Sequence, residues 1–131
     1  LERLCRESDF ISLHMPPTPE TEHCINAERL AMMKPTAYLV NTARGPLIDE
    51  PALLAALTDG TIAGAGLDVF EVEPISESPF FGLENTIVTP HVAGISEGAN
   101  RRMIVQAAEN IFAVLSGDWP RDIVVNGVYS D

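Results

Sequence analysis

Four short apolar runs, separated by stretches that read as helices or loops, constrain this chain more than any other feature. Phe10-Ile11-Ser12-Leu13-His14 is the first strand candidate, closed by Pro16-Pro17. Ala37 to Thr42 is the second, Ala63 to Val69 the third and Thr86 to Thr89 the fourth. Between the first two, Asn26 is placed to cap a helix running to Lys34, with Pro35 as its stop. Between the second and third, Asp49 has the marks of an N-cap. Glu50 suits the positive end of a helix, and Pro51 lies in the first turn, where its missing N–H costs little. Ile48 and Leu53 flank that cap as a hydrophobic staple, Leu53, Leu54 and Leu57 share a face, and Gly60 supplies a left-handed terminator. A last helix is expected from Ser96 to Ser116, with Ile104, Ala108, Ile111 and Leu115 in one core-packing stripe and Gly117 behind it. Phe70 to Asn85 is the longest irregular stretch, a length more often functional than idle.

Strands that are apolar rather than alternating, and separated by helices, indicate an α/β fold with a parallel sheet covered on both faces. The 131 residues suffice for one core, since a body of this size buries roughly two-thirds of its surface on folding. A hydrophobic content of 46% excludes a disordered tail. Eight Lys and Arg stand against 19 Asp and Glu, a formal charge of −11, which argues against nucleic acid and anionic membrane surfaces as partners. No apolar run approaches the ~18 residues of a membrane span. Cys5 and Cys24 cannot build a disulfide framework or a four-thiolate zinc site, and with His14, His23 and His91 they show no ligand spacing, so no metal is expected. A reducing cytoplasm is the expected compartment. The chain opens Leu1-Glu2-Arg3-Leu4, with no initiator Met and no signal-peptide pattern, and reads as a piece of a longer protein.

In open parallel sheets, ligands sit outside the carboxyl ends of the strands. The loops to interrogate are therefore His14-Met15-Pro16, Thr42 to Gly45, Asp68 to Pro74 and Pro90 to Gly94. Arg44 follows a strand directly and is flanked by Ala43 and Gly45, small residues that let a ligand approach. Its guanidinium offers a planar fork matching a carboxylate bidentately. His91 can exchange a proton with a substrate hydroxyl near neutrality. A neighbouring carboxylate favours the charged imidazole, and Glu73, on the loop after the third strand, is the candidate.

Three blocks now stand out: Val40-Asn41-Thr42-Ala43-Arg44-Gly45, Leu67-Asp68-Val69-Phe70-Glu71-Val72-Glu73-Pro74 and Thr89-Pro90-His91-Val92-Ala93-Gly94. In order and spacing they resemble the signature blocks of the D-2-hydroxyacid dehydrogenase family, and Ser12 to Pro16 with Thr18 and Thr21 resembles a fourth. The resemblance covers nearly the whole chain. It implies half of a Rossmann-type doubly wound parallel sheet, three-layer α/β/α, with residues 1–117 as the C-terminal portion of an NAD-binding domain and residues 118–131 returning to a substrate domain. It further implies hydride transfer between NAD(H) and a D-2-hydroxy acid/2-oxo acid pair, with NADP left open, and a homodimer. Arg44 would bind the substrate carboxylate and His91 would be the general acid/base. Glu73 rather than Glu71 would be its partner, because the family's Glu immediately precedes the Pro. Asp68 would sit near the nicotinamide carboxamide, and Met15, Pro16, Thr42, Ala43, Arg44, His91 and the backbone of Ala93 and Gly94 would line the cofactor. For His14, backbone contact with the cofactor and simple strand termination stay open.

A complete member of the family carries G-x-G-x-x-G upstream, an acidic residue for the adenosine ribose and a substrate domain. Gly64-Ala65-Gly66 is not that fingerprint, because it lacks the third glycine and enters a strand. As it stands, the chain is expected to bind NAD poorly. A non-catalytic dehydrogenase-like module, kept for dimerisation or regulation, is the competing reading. Gly94-Ile95-Ser96-Glu97-Gly98 fits G-x-S-x-G, but a nucleophile elbow needs an acid and then a His further on, and no His follows His91. Ser96 is expected to start a helix.

Overall fold

A computed structural model describes residues 1–118, and the chain divides into two compact units, Leu1–Ala93 and Gly94–Asp131. In the first, β1 (Phe10–Leu13), β2 (Tyr38–Asn41), β3 (Gly64–Leu67) and β4 (Thr86–Val88) form one sheet in that order, every pair parallel. Each strand is shorter than its apolar run. Ala37 and Val69 are buried outside the ladder, so apolar character outlasts strand pairing at both ends.

The connections follow from local chemistry. Between β1 and β2, α2 (Ala27–Met32) starts where the Asn26 side chain accepts the Arg29 N–H at 3.1 Å. Between β2 and β3, α3 (Glu50–Thr58) starts where the Asp49 carboxylate accepts the Ala52 N–H at 3.0 Å, and Gly60 (φ +76°) follows its end. A helix that the sequence reading did not foresee, α1 (Glu2–Glu7), precedes β1 and buries Cys5. The β3–β4 connection holds a 3-10 turn, Pro79–Gly82, whose Phe80 is buried.

The helices of this unit supply one face. Cys5, Leu30, Leu53 and Leu57 share a core with Ile11, Leu13, Leu39, Ala65 and Leu67. Each fully buried Leu or Ile there contributes about 1.5–3 kcal/mol over leaving it in water. The expectation of helices on both faces is met on this one. On the other face, where Ser12, Val40, Gly66 and Ile87 align, Phe10 and Ile87 are 72% and 73% exposed.

In the second unit, α4 (Glu97–Leu115) starts at Ser96, whose hydroxyl accepts the Ala99 N–H, and ends ahead of Gly117 (φ +80°). Ser96 is thus a cap, as expected. The expected core stripe is corrected: Ile104, Ile111 and Leu115 are all exposed, and α4 buries no residue. Helical spacing says that a face needs a partner, not where the partner comes from. The expected segment 118–131 lies, from residue 119 onward, outside the described residues.

Candidate active site

Because all four strands are parallel, their carboxyl ends lie along one edge, and four loops leave from it. The loop after β2 is built by Asn41, the fully buried last residue of that strand. Its side-chain oxygen accepts the Ala43 N–H at 3.0 Å and its amide donates to the Arg44 carbonyl at 2.9 Å. These two bonds satisfy a buried amide and fold the turn that presents Arg44 at the surface. His14, Met15, Pro16, Thr42, Ala43 and Arg44 line a cleft of about 390 Å³ between the first two loops. Within it His14 Nε2 lies 2.8 Å from the Ser12 hydroxyl.

The loop after β3 carries Asp68 and Glu73. Asp68 is 3% exposed, and its carboxylate accepts from the Thr89 hydroxyl (2.5 Å), the Val92 N–H (2.8 Å) and the Ala93 N–H (2.9 Å). Burial pushes its carboxyl up, but these three bonds and the nearby His91 outweigh burial and hold it below the ordinary aspartate value. The Asp68 carbonyl also accepts the His91 N–H at 2.8 Å. One buried residue thereby organises the whole loop after β4, and His91 sits on it with φ +54°, a left-handed conformation unusual outside glycine.

Glu73 faces that histidine. One of its oxygens accepts the Phe70 N–H at 2.9 Å and the other lies 2.7 Å from His91 Nδ1. The bond to His91, then that from Phe70, holds the Glu73 carboxyl below the ordinary glutamate value, and the Arg44 charge adds in the same sense. The imidazole is 48% exposed, and among the described residues its Nε2 has no hydrogen-bond partner. Asp68, Phe70, Glu73, Pro74, Pro90 and His91 border a cavity of about 300 Å³. The two loops also touch. Gly45 packs so closely on the backbone of Phe70 and Glu71 that an added Cβ would overlap the Phe70 carbonyl and the Glu71 nitrogen.

Arg44, Glu73 and His91 therefore follow three neighbouring strands at one sheet edge, with Glu73 and His91 in contact. Met15, Pro16, Thr42 and Ala43 line the adjoining cleft, Asp68 and Ala93 are joined through the His91 loop, and Gly94 opens the second unit. Two contributors escaped the sequence reading: Asn41, which shapes the Arg44 turn, and Thr89, which anchors Asp68. The available signal was a polar residue at the end of an apolar run, which must find partners if buried.

The sequence model of the D-isomer specific 2-hydroxyacid dehydrogenase NAD binding domain matches residues 1–93. The chain belongs to this family. It is 50% identical over 125 residues to a glyoxylate reductase of Thermofilum pendens, covering 95% of this chain and 37% of that protein. Its fold matches the D-isomer specific 2-hydroxyacid dehydrogenase of Lactobacillus delbrueckii ssp. bulgaricus in its NAD complexed form, with a TM-score of 0.84 and 37% identity over 94% of this chain and 42% of that one. It also matches the family member of Xanthobacter autotrophicus Py2 in complex with NADPH and MES, with a TM-score of 0.75 and 44% identity over 90% of this chain and 48% of that one. The chain thus spans little more than a third of the archaeal relative, and what it represents is part of an NAD-binding domain. The cleft suits such a cofactor. Met15, Pro16 and Ala43 give the apolar wall a flat aromatic ring needs, beside the cationic Arg44. Among the described residues no helix is long and apolar enough to cross a membrane, and no cluster of three His, Cys, Asp or Glu side chains could hold a metal ion.

Proposed function

We propose that the full protein interconverts a small D-2-hydroxy acid and its 2-oxo acid with NAD(H), and that this chain carries the carboxylate anchor and the proton relay. The observation that carries the reading is the 2.7 Å pairing of His91 Nδ1 with Glu73, at the same strand edge as Arg44. When bound, NAD(H) supplies the hydride exchange. Arg44 pairs with the substrate carboxylate through its planar fork, offsetting that charge and fixing the adjacent carbon. His91 moves the proton at Nε2: it donates to the oxyanion that forms as a 2-oxo acid is reduced, and accepts from the hydroxyl in the reverse direction. Glu73 holds the proton at Nδ1, so that Nε2 faces substrate, and stabilises the imidazolium when it forms. Met15, Pro16, Thr42, Ala43, Asp68, Ala93 and Gly94 would shape the cofactor side of the site, and the protein would work as a homodimer, as sedimentation of the full protein will test.

Glyoxylate is the first substrate to try, because the 50% identical archaeal relative carries the name glyoxylate reductase. The test is a panel of 2-oxo acids (glyoxylate, hydroxypyruvate, pyruvate, phosphohydroxypyruvate) assayed with NADH and NADPH on the full protein and on Arg44→Ala. Loss of a charged pair desolvated at a binding site costs about 2–5 kcal/mol, so kcat/KM should fall at least ~30-fold, mainly through KM for the acid. An unchanged kcat/KM would remove Arg44 from the substrate.

A further inference from the structure

Glu73 sits on an irregular loop, and a misplacement of about 1 Å at a reacting group can cost ~100-fold in rate. Something must hold that loop. Two residues before Glu73, Glu71 is gripped twice. Its N–H donates to the Glu50 carboxylate at 2.7 Å, and its own carboxylate lies 2.9 Å from His23 Nε2. Gly45 packs beneath the same backbone. We propose that Glu71, clamped by Glu50 and His23, is the brace that positions Glu73 against His91, which makes these three residues positioning residues for the reaction. This deepens the reading of Glu73 and His91 as a proton relay and rests on it.

Three features support the brace. First, its anchors are themselves fixed. His23 donates its N–H to the Pro46 carbonyl at 2.8 Å, Ile25 donates to Leu47 at 3.0 Å, and Asp49 donates back to Ile25 at 3.0 Å, so residues 23–25 are laced to the start of α3. Second, among the described residues the non-glycine positions with left-handed backbone are His23 (φ +48°) and His91. They stand at the two ends of one chain of contacts: His23 to Glu71, Glu71 through the loop to Glu73, Glu73 to His91. Conformations of this kind persist only where surrounding structure enforces them. Third, Glu50 is not needed to cap α3, since Asp49 does so. It is nonetheless held half-buried facing Glu71, where burial, with that like charge, outweighs the bond from the Glu71 N–H and pushes its carboxyl up. A pair of partly exposed carboxylates and a histidine contributes little to global stability. Its effect lies in local placement.

The test uses the full protein and a double-mutant cycle between Glu71→Ala and Glu73→Gln. Alone, Glu71→Ala should lower kcat by about 10–100-fold, with KM for the cofactor little changed. Glu71→Gln, which keeps an acceptor for His23, should restore most of that loss, and His23→Ala should reproduce part of it. In the Glu73→Gln background, Glu71→Ala should cost little more, because the brace acts through Glu73. Wild-type kcat in Glu71→Ala, with Glu73→Gln impaired, would overturn the brace and spare the relay. Equal losses in both backgrounds would also overturn it, reducing Glu71 to a structural part. Wild-type turnover in Glu73→Gln would end the relay reading, and the brace with it. Should Glu71→Ala fail to fold, His23→Ala takes its place in the same cycle.

Discussion

Glu73 carries two bonds, from Phe70 and from His91, that both favour its charged form. Its carboxyl therefore titrates below the ordinary glutamate value of 4.5 in the folded protein. The sign follows by linkage. A depressed folded-state pKa contributes stability that is fully present above the unfolded value and is lost as pH falls through the folded one. Charge-assisted bonds of this kind are worth about 1.5–3 kcal/mol, and with Glu73 one-third exposed a contribution of about 1 kcal/mol is expected. Urea unfolding of wild type and Glu73→Gln should thus differ by that amount at neutral pH, with the gap closing below pH 4.5; a gap constant down to acid pH would contradict it. Arg44, Glu73 and His91 were legible one by one, because each follows a strand and sits in a recognisable block. The choice of Glu73 over Glu71 came from its place beside Pro74. What Glu71 does instead was not legible, because its partner His23 lies 48 positions away and is brought near by backbone pairing that no local pattern announces.

At the scale of elements, punctuation proved the most readable part of the chain. Asn26, Asp49 and Ser96 each accept the N–H three residues on, as their side chains and positions implied. Replacing Asp49 by Ala should cost about 1 kcal/mol, read as a lower urea midpoint with unchanged slope. Because Glu50 follows that cap directly and holds the Glu71 N–H, the same change should also lower turnover. Unaltered stability would show that water replaces the cap without loss. Strand ends were less readable, since Ala37 and Val69 are as buried as the residues inside the ladder. α1 went unseen because six residues with one buried cysteine give too little periodicity to signal a helix. The stripe on α4 was seen, and its exposure shows what periodicity leaves out: the identity of the covering surface.

For the whole molecule, one geometrical fact does most to join sequence to chemistry. Parallel strands deliver the residues after them to a common edge, so Arg44 and His91, 47 positions apart, come to lie along a single rim. The order β1-β2-β3-β4 sets them in sequence along it, and Asp68 ties the last loop to the third strand. The turn that carries Arg44 is set locally, by the bonds of Asn41 to the Ala43 N–H and the Arg44 carbonyl. The parallel sheet was foreseen from four apolar runs; the exposure of Phe10 and Ile87 on one of its faces was not, because apolar strands announce burial without naming the layer that provides it. The most direct test of the account is the single-turnover rate of 2-oxo acid reduction by the full protein with NADH, wild type against His91→Ala. Loss of a general acid predicts a rate lower by about 10²–10⁴-fold with cofactor affinity retained. Reduction at the wild-type rate would mean that His91 does not carry the proton.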